Sequence, residues 1–375
     1  MNPFETAIEI VRPEIEFGSG IAAAAGRRAR AMGARRVLVV ADAFNAARVQ
    51  LLDLPGAVTV FGDLKPEPDI PNLEAALALA EESSPDFVLG FGGGSAMDLA
   101  KLIAVLPGSG QTVHHVVGAE KVAARRVGLL QVPTTAGTGS EAGTRALVTD
   151  PATRNKLAIQ SRHMLADAAI VDPDLTMTVP PAVTAATGVD ALAHCVEAFT
   201  SRKAHPLIDN YALEGARLVG RFLRRAVEDG GDREARAGLS LASLYGGFCL
   251  GPVNTTAGHA VAYPLGSRHG VPHGLACATI FPHTLAFNAP AVLDRTLQVL
   301  EALGLPASSD PSAIVAETRR WCADLGVEMR LSHLGVPRDD LPAMAGEAHA
   351  IRRLLDNNPR DVSRDEILAI YQAAY

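Results

Sequence analysis

The sequence predicts an α/β N-terminal domain built on a parallel sheet, followed by an all-α C-terminal domain. Three observations carry that reading. Short β-rich runs alternate with helical patterns through the first half of the chain. After Pro180-Pro181 the β-rich runs stop and helical periodicity continues to the C-terminus. The chain has 375 residues, 48% hydrophobic and 20% charged, enough for two buried cores. The expected domains are residues 1–178 and 179–375. Two domains with so short a join are expected to leave a cleft for a ligand.

The elements follow in order. Arg36–Ala41, Ala57–Phe61 and Asp86–Gly90 read as buried strands, and Ala-rich stretches such as Asn72–Glu82 between them read as helices. This alternation implies βαβ units. Further short runs lie at Gly128–Val132, Ala146–Thr149, Lys156–Gln160 and Ala168–Val171. Beyond the boundary, helices are expected over 182–200, 207–228, 233–250, 256–264, 272–287, 291–303, 311–325 and 364–374, the last opening after Ser363 as N-cap.

Charge and composition exclude several classes. The formal net charge is -7 and the basic clusters are only pairs, such as Arg27-Arg28 and Arg224-Arg225. Neither nucleic acid nor an anionic membrane is the expected partner. No apolar run reaches the length of a membrane span, and the N-terminus lacks the pattern of a signal peptide. Cys195, Cys249, Cys277 and Cys322 are irregularly spaced, which fits buried thiols in a reducing cytoplasm.

Two polar turns carry ligand chemistry. Gly90-Phe91-Gly92-Gly93-Gly94-Ser95-Ala96-Met97-Asp98 follows a strand and opens a helix. Glycines let the backbone approach a pyrophosphate, and free N–H groups at the helix start attract its charge. The pattern is Rossmann-like, although the loop follows the third expected strand rather than the first. Ser95 and Asp98 have the spacing of a capping box. Asp42 ends the first of these strands, where a carboxylate serves either as a ribose 2′-OH partner, favouring NAD over NADP, or as a helix N-cap. Pro133–Glu141 packs three Thr and one Ser beside two Gly, the chemistry of a phosphate or ribose contact.

The helical half holds a metal-ligand pattern. Asp190 and His194 are four apart on an expected helix and share one face. His259 and His273 lie downstream beside Gly258 and Gly274, with His269 between them as a competing ligand. One carboxylate and three imidazoles suit Fe(II) or Zn(II) with positions open for substrate.

Together these segments resemble the iron-containing (group III) alcohol dehydrogenase family. GGGSAMDLAK at 92–101, PTTAGTGSE at 133–141, TGVDALAHCVEAF at 187–199 and GHAVAYPLGSRHGVPHG at 258–274 carry the resemblance. It implies a dinucleotide-binding domain, a helical metal-binding domain and a homodimer. It places the metal on Asp190, His194, His259 and His273. The cofactor falls on Gly92, Gly93, Gly94 and Ser95 with Asp98 just after, on Thr134, Thr135, Thr138 and Lys156, and on Asp42. The implied reaction is hydride transfer between NAD(H) and a small alcohol, aldehyde or ketone. Alternatives on related scaffolds are a maleylacetate reductase, a phosphonate or hydroxy-acid aldehyde reductase and, more distantly, a dehydroquinate-synthase-like lyase. Many members of the family carry a proton-relaying His four residues after the third ligand; here Tyr263 stands there, so Tyr263, His269 or water becomes the relay. Arg268 is a candidate for binding an anionic substrate group.

Overall fold

In the sheet unit, the four inner strands, at 36–41, 87–92, 128–133 and 168–171, follow from apolar runs that are buried on both faces. The computed structural model describes residues 7–153 and 155–375. The sheet unit comprises Val11–Thr135 and Gly139–Met177. Its strands are β1 (Glu14–Phe17), β2 (Arg36–Ala41), β3 (Ala57–Phe61), β4 (Phe87–Gly92), β5 (Gly118–Ala119), β6 (Gly128–Pro133), β7 (Arg145–Asp150), β8 (Asn155–Gln160) and β9 (Ala168–Val171). Six of them form a parallel sheet in the order β1-β9-β6-β4-β2-β3. From β2 the chain runs to β3 on one side and then to β4 on the other. The switch in direction falls between β2 and β4, and ligands of open α/β sheets bind at the carboxyl ends of strands flanking such a point.

Two expectations change here. The runs at 145–150 and 155–160 do not join the parallel sheet. They pair antiparallel and form a second sheet in the order β5-β8-β7. The link from Asp150 to Asn155 is too short for the crossover that parallel strands require. Strand β1 was not foreseen, because Glu-Ile-Glu-Phe is a short edge segment with little apolar signal; it pairs with β9.

The helices of this unit are α1 (Ala24–Ala31), α2 (Ala43–Ala46), α3 (Ile70–Ser83) and α4 (Gly94–Val105). The helical unit comprises Thr178–Tyr375 with Ala136–Thr138 and, among the described residues before the sheet unit, 7–10. Its helices are α5 (Pro181–Thr200), α6 (Pro206–Glu228), α7 (Arg233–Leu250), α8 (Ala257–His269), α9 (His273–Asn288), α10 (Leu293–Ala302), α11 (Pro311–Asp324), α12 (Leu341–His349), α13 (Arg352–Leu355) and α14 (Arg364–Ala374). Helix α5 is buried continuously from Gly188 to Thr200, so it forms the axis of this core. Helix α6 covers it with an apolar stripe of Ile208, Ala212, Ala216, Val219 and Leu223, at helical spacing. Ser363 caps α14 through a full capping box with Glu366. All four cysteines are free and buried. No helix among the described residues is long and apolar enough to cross a membrane.

Candidate metal centre and cofactor loops

Helix α5 presents Asp190 and His194 one turn apart, buried to 1% and 4% exposure. His259 lies in the first turn of α8 and His273 opens α9. The three imidazole Nε2 atoms surround one carboxylate oxygen. Asp190 Oδ1 is 3.5 Å from His259, 3.7 Å from His273 and 3.9 Å from His194. Asp190 Oδ1 and His259 Nε2 are buried without a hydrogen-bond partner among the described residues. Leaving such atoms unpaired in a core costs about 1–3 kcal/mol each. A shared divalent cation satisfies them, and the N/O donor set fits one.

The glycines beside the histidines have a geometric reason. A Cβ on Gly258 would fall 2.5 Å from Glu197 Oε1. A Cβ on Gly274 would fall 3.0 Å from the Ala186 carbonyl oxygen on α5. Both positions admit a close approach that a larger residue would block, and each brings one histidine against α5.

Glu197 is a candidate site residue that sequence reasoning missed. His259 Nδ1 donates to Glu197 Oε1 at 2.6 Å, and its Nε2 faces Asp190 Oδ1 at 3.5 Å. The backbone N–H and hydroxyl of Thr256 donate to Glu197 Oε2 at 2.5 and 3.0 Å. His194 follows the same logic: its Nδ1 donates to the Gly137 carbonyl at 3.3 Å, and Nε2 faces the cluster. Burial pushes the Asp190 carboxyl up, but His194, His273 and His259 outweigh it and hold the group well below the usual carboxylate range. Burial also pulls His194 down, against the neighbouring Asp190 and Glu197 carboxylates.

Cys277 was read only as a buried thiol. One turn after His273 on α9, it brings Sγ into the same cluster: its sulfur and the donor atoms of Asp190, His259 and His273 all lie within 4.8 Å of one another. Burial pushes its thiol up to about 12. No spacing rule for zinc knuckles or disulfides would have marked it.

Tyr263 is brought to the centre. It lies one turn after His259 on α8, and its ring centroid is 5.8 Å from that of His273 and 6.4 Å from that of His259. His269 is not brought there. Ten residues along α8 place it roughly 15 Å from His259 along the axis, where its Nε2 is 3.3 Å from Asp340 Oδ2. It therefore neither competes with His259 as a ligand nor reaches the cluster as a relay. Arg268 is held by Glu347 at 2.7 Å and Asp340 at 3.5 Å. Two carboxylates already balance its charge, which removes it as an anion site.

The sheet unit gathers most of the predicted cofactor residues at one edge, Thr138 excepted. Register pairs Ala41 with Phe91 and Gly92 with Pro133, so Asp42, Gly93 and Thr134 follow the carboxyl ends of three adjacent strands. The Asn45 side-chain amide donates to Asp42 Oδ2 at 2.6 Å and to Thr134 Oγ1 at 3.2 Å, tying two of these ends together. Asp42 also caps α2 through the Asn45 N–H. Gly93 is the N-cap of α4, and the helix begins at Gly94. Ser95 is thus already inside the helix, and the expected Ser95–Asp98 capping box does not form. Ser95 Oγ instead accepts from the Glu67 N–H at 3.1 Å, and Asp98 accepts from Ser140 Oγ and the Leu147 N–H. A Cβ on Gly93 would fall 3.2 Å from Thr135 Oγ1, so the glycine and threonine loops touch. Fully buried Lys101 donates to Ser140 O and Oγ, both at 2.7 Å, and braces them from below. Lys156 pairs with Glu67 at 2.7 Å. Thr138 clusters with the helical unit rather than with Thr134 and Thr135.

Comparison with known proteins gives the family. The family model for iron-containing alcohol dehydrogenase matches residues 13–173, and the model for the C-terminal part of that family matches 184–375. The long-chain-alcohol dehydrogenase 1 of Geobacillus thermodenitrificans is 36% identical, over 92% of this chain and 90% of its own. A crystal structure of 1,3-propanediol oxidoreductase superposes with a TM-score of 0.93 at 31% identity, covering 99% of this chain and 100% of that one. The sulfoacetaldehyde reductase of Bifidobacterium kashiwanohense, solved in complex with NAD+, gives 0.88 at 30% identity, covering 98% and 99%. The chain belongs to the iron-containing alcohol dehydrogenase family and is a metal-containing oxidoreductase of that type.

Proposed function

We propose that the chain interconverts small alcohols and aldehydes or ketones by hydride exchange with NAD(H), using a divalent ion held by Asp190, His194, His259 and His273. The observation that carries this is the convergence of three imidazole Nε2 atoms on the unpartnered Asp190 Oδ1. A bound ion supplies Lewis-acid polarisation of the substrate oxygen. The protein's own part is orientation. Glu197 and the Gly137 carbonyl fix the tautomers of His259 and His194, so that both Nε2 atoms face inward. Tyr263 is the phenol beside the donors and the candidate proton carrier. His194 is preferred over Cys277 as fourth ligand, because its tautomer is already set for coordination.

On the sheet unit, Gly92, Gly93, Gly94 and Ser95 are proposed to hold the pyrophosphate, with Asp98 bracing the loop. Thr134, Thr135, Thr138 and Lys156 are proposed to contact ribose or nicotinamide, and Asp42 to favour NAD over NADP by repelling a 2′-phosphate. Fe(II) is preferred over Zn(II) on the family's character. A cytoplasmic homodimer completes the proposal. Metal analysis after gel filtration tests it: Fe(II) or Zn(II) should co-elute with the protein and be lost in Asp190→Asn. Retention of the ion by that variant would place it elsewhere.

A further inference from the structure

Arg353 on α13 places a positive charge over the ring of Tyr263. Its guanidinium carbon is 5.5 Å from the centroid of the Tyr263 ring. That ring in turn neighbours His273 and His259, at 5.8 and 6.4 Å between centroids. The backbone beneath it is fixed. Leu354 and Leu355 are buried, and the Asn357 side-chain amide donates to the Arg353 carbonyl at 3.0 Å and the Thr255 carbonyl at 3.2 Å. Thr255 lies two residues before α8, so the segment is stitched to the start of the helix that carries His259.

The neighbouring basic groups are occupied. Arg352 is paired with Asp356, Arg268 with Glu347 and Asp340, and Arg360 with Glu366. Arg353 makes no ion pair among the described residues and is exposed. A lone surface arginine is ordinarily of little consequence. This one differs in lying over a buried ring that faces the donor cluster, with a guanidinium fork free to take two oxygens of an oxyanion.

We propose that Arg353 is a specificity residue that binds the anionic terminus of a short-chain aldehyde: a sulfonate, phosphonate or carboxylate. The inference rests on the reductase reading above. In the reaction NADH gives a hydride to the carbonyl carbon, the oxygen takes one proton, and the products are the alcohol and NAD+. The arginine takes no part in these transfers and acts on substrate binding.

Two measurements on the metal-loaded protein test it. The first is calorimetric titration with the unreactive anions ethanesulfonate, ethylphosphonate and propionate, in wild type, Arg353→Ala, Arg353→Lys and Arg352→Ala. Arg353→Ala should weaken binding of at least one anion by about 10–100-fold, the span of a charge-assisted pair. Arg353→Lys should restore part of it, and Arg352→Ala should match wild type. Which anion binds most tightly identifies the terminus. Equal binding by wild type and Arg353→Ala, or an equal loss in Arg352→Ala, would overturn the proposal. The second is NADH oxidation with sulfoacetaldehyde and with neutral propanal. Arg353→Ala should raise KM for the anionic aldehyde and leave propanal unchanged. Loss of both activities to the same degree would overturn a specificity role. If neither aldehyde is turned over by wild type while Arg353-dependent anion binding persists, the reductase reading fails and the anion site stands.

Discussion

At the scale of single residues, the metal centre depends on which nitrogen of each imidazole carries its proton. Glu197 decides this for His259, accepting from Nδ1 at 2.6 Å while Thr256 holds its other oxygen. Glu197→Gln keeps the shape and removes the charge, so metal affinity should fall about 10–100-fold, measured by competition with a chromophoric chelator. Unchanged affinity would reduce Glu197 to a packing role. Tyr263→Phe should lower kcat while leaving the dissociation constant for NAD unchanged, which a stopped-flow and fluorescence comparison reads directly; equal turnover would remove Tyr263 from proton transfer. Cys277 gives a spectroscopic test. If His194 is the fourth ligand, the Co(II)-loaded protein should lack a thiolate-to-cobalt charge-transfer band. A band that disappears in Cys277→Ser would put sulfur on the ion instead. The four candidate ligands were legible because Asp190 and His194 share a helix face and the later histidines carry flanking glycines. Glu197 was not, since a carboxylate three residues after His194 gives no local sign that it reaches a histidine 62 positions away. Arg268 and His269 misled by nearness in sequence to His273, whereas the rise of α8 carries them to its far end, against Asp340.

At the scale of elements, close packing around α5 positions the donors. Gly258→Ala must displace Glu197, so metal affinity should fall as in Glu197→Gln. Gly251→Ala, where a Cβ would meet nothing within 4 Å, serves as the control. Equal affinity in the two glycine variants would contradict the packing account. Helix α9 adds a pH dependence through His283. Burial, with a smaller contribution from Arg319, pushes its imidazole down to about 4. The unfolded chain therefore takes up that proton first, at an ordinary value near 6.5. The folded state should be fully favoured above about pH 6.5 and lose about 3 kcal/mol as pH falls toward 4, with no further loss from this group below. Denaturant titrations of His283→Gln should show a flatter profile across that window. An unaltered slope would assign the acid sensitivity to other groups. Among the elements, long apolar helices and buried parallel strands were readable from periodicity. The edge strand β1, the antiparallel β7–β8 pair and the short helix α13 were not, because pairing partners and tertiary anchors define them more than their own composition does.

At the scale of the whole molecule, one chain carries two candidate sites that the proposed reaction needs: a cofactor edge on the parallel sheet and a metal centre in the helical unit. The sequence motifs made both visible, since glycine and hydroxyl clusters report on backbone approach to phosphate and the Asp–His spacing reports on a helix face. What they did not convey was the support beneath each site, where Lys101 braces one pair of loops and Glu197 orients one ligand. The measurement that bears most directly on the central claim is NADH oxidation by chelator-treated protein with a panel of neutral and anionic short-chain aldehydes, before and after adding Fe(II) or Zn(II). The account predicts no turnover without the ion, recovery with it, and joint loss of turnover and metal in Asp190→Asn and His259→Ala. Turnover that survives chelation, or an absence of turnover across the panel with the ion bound, would contradict it.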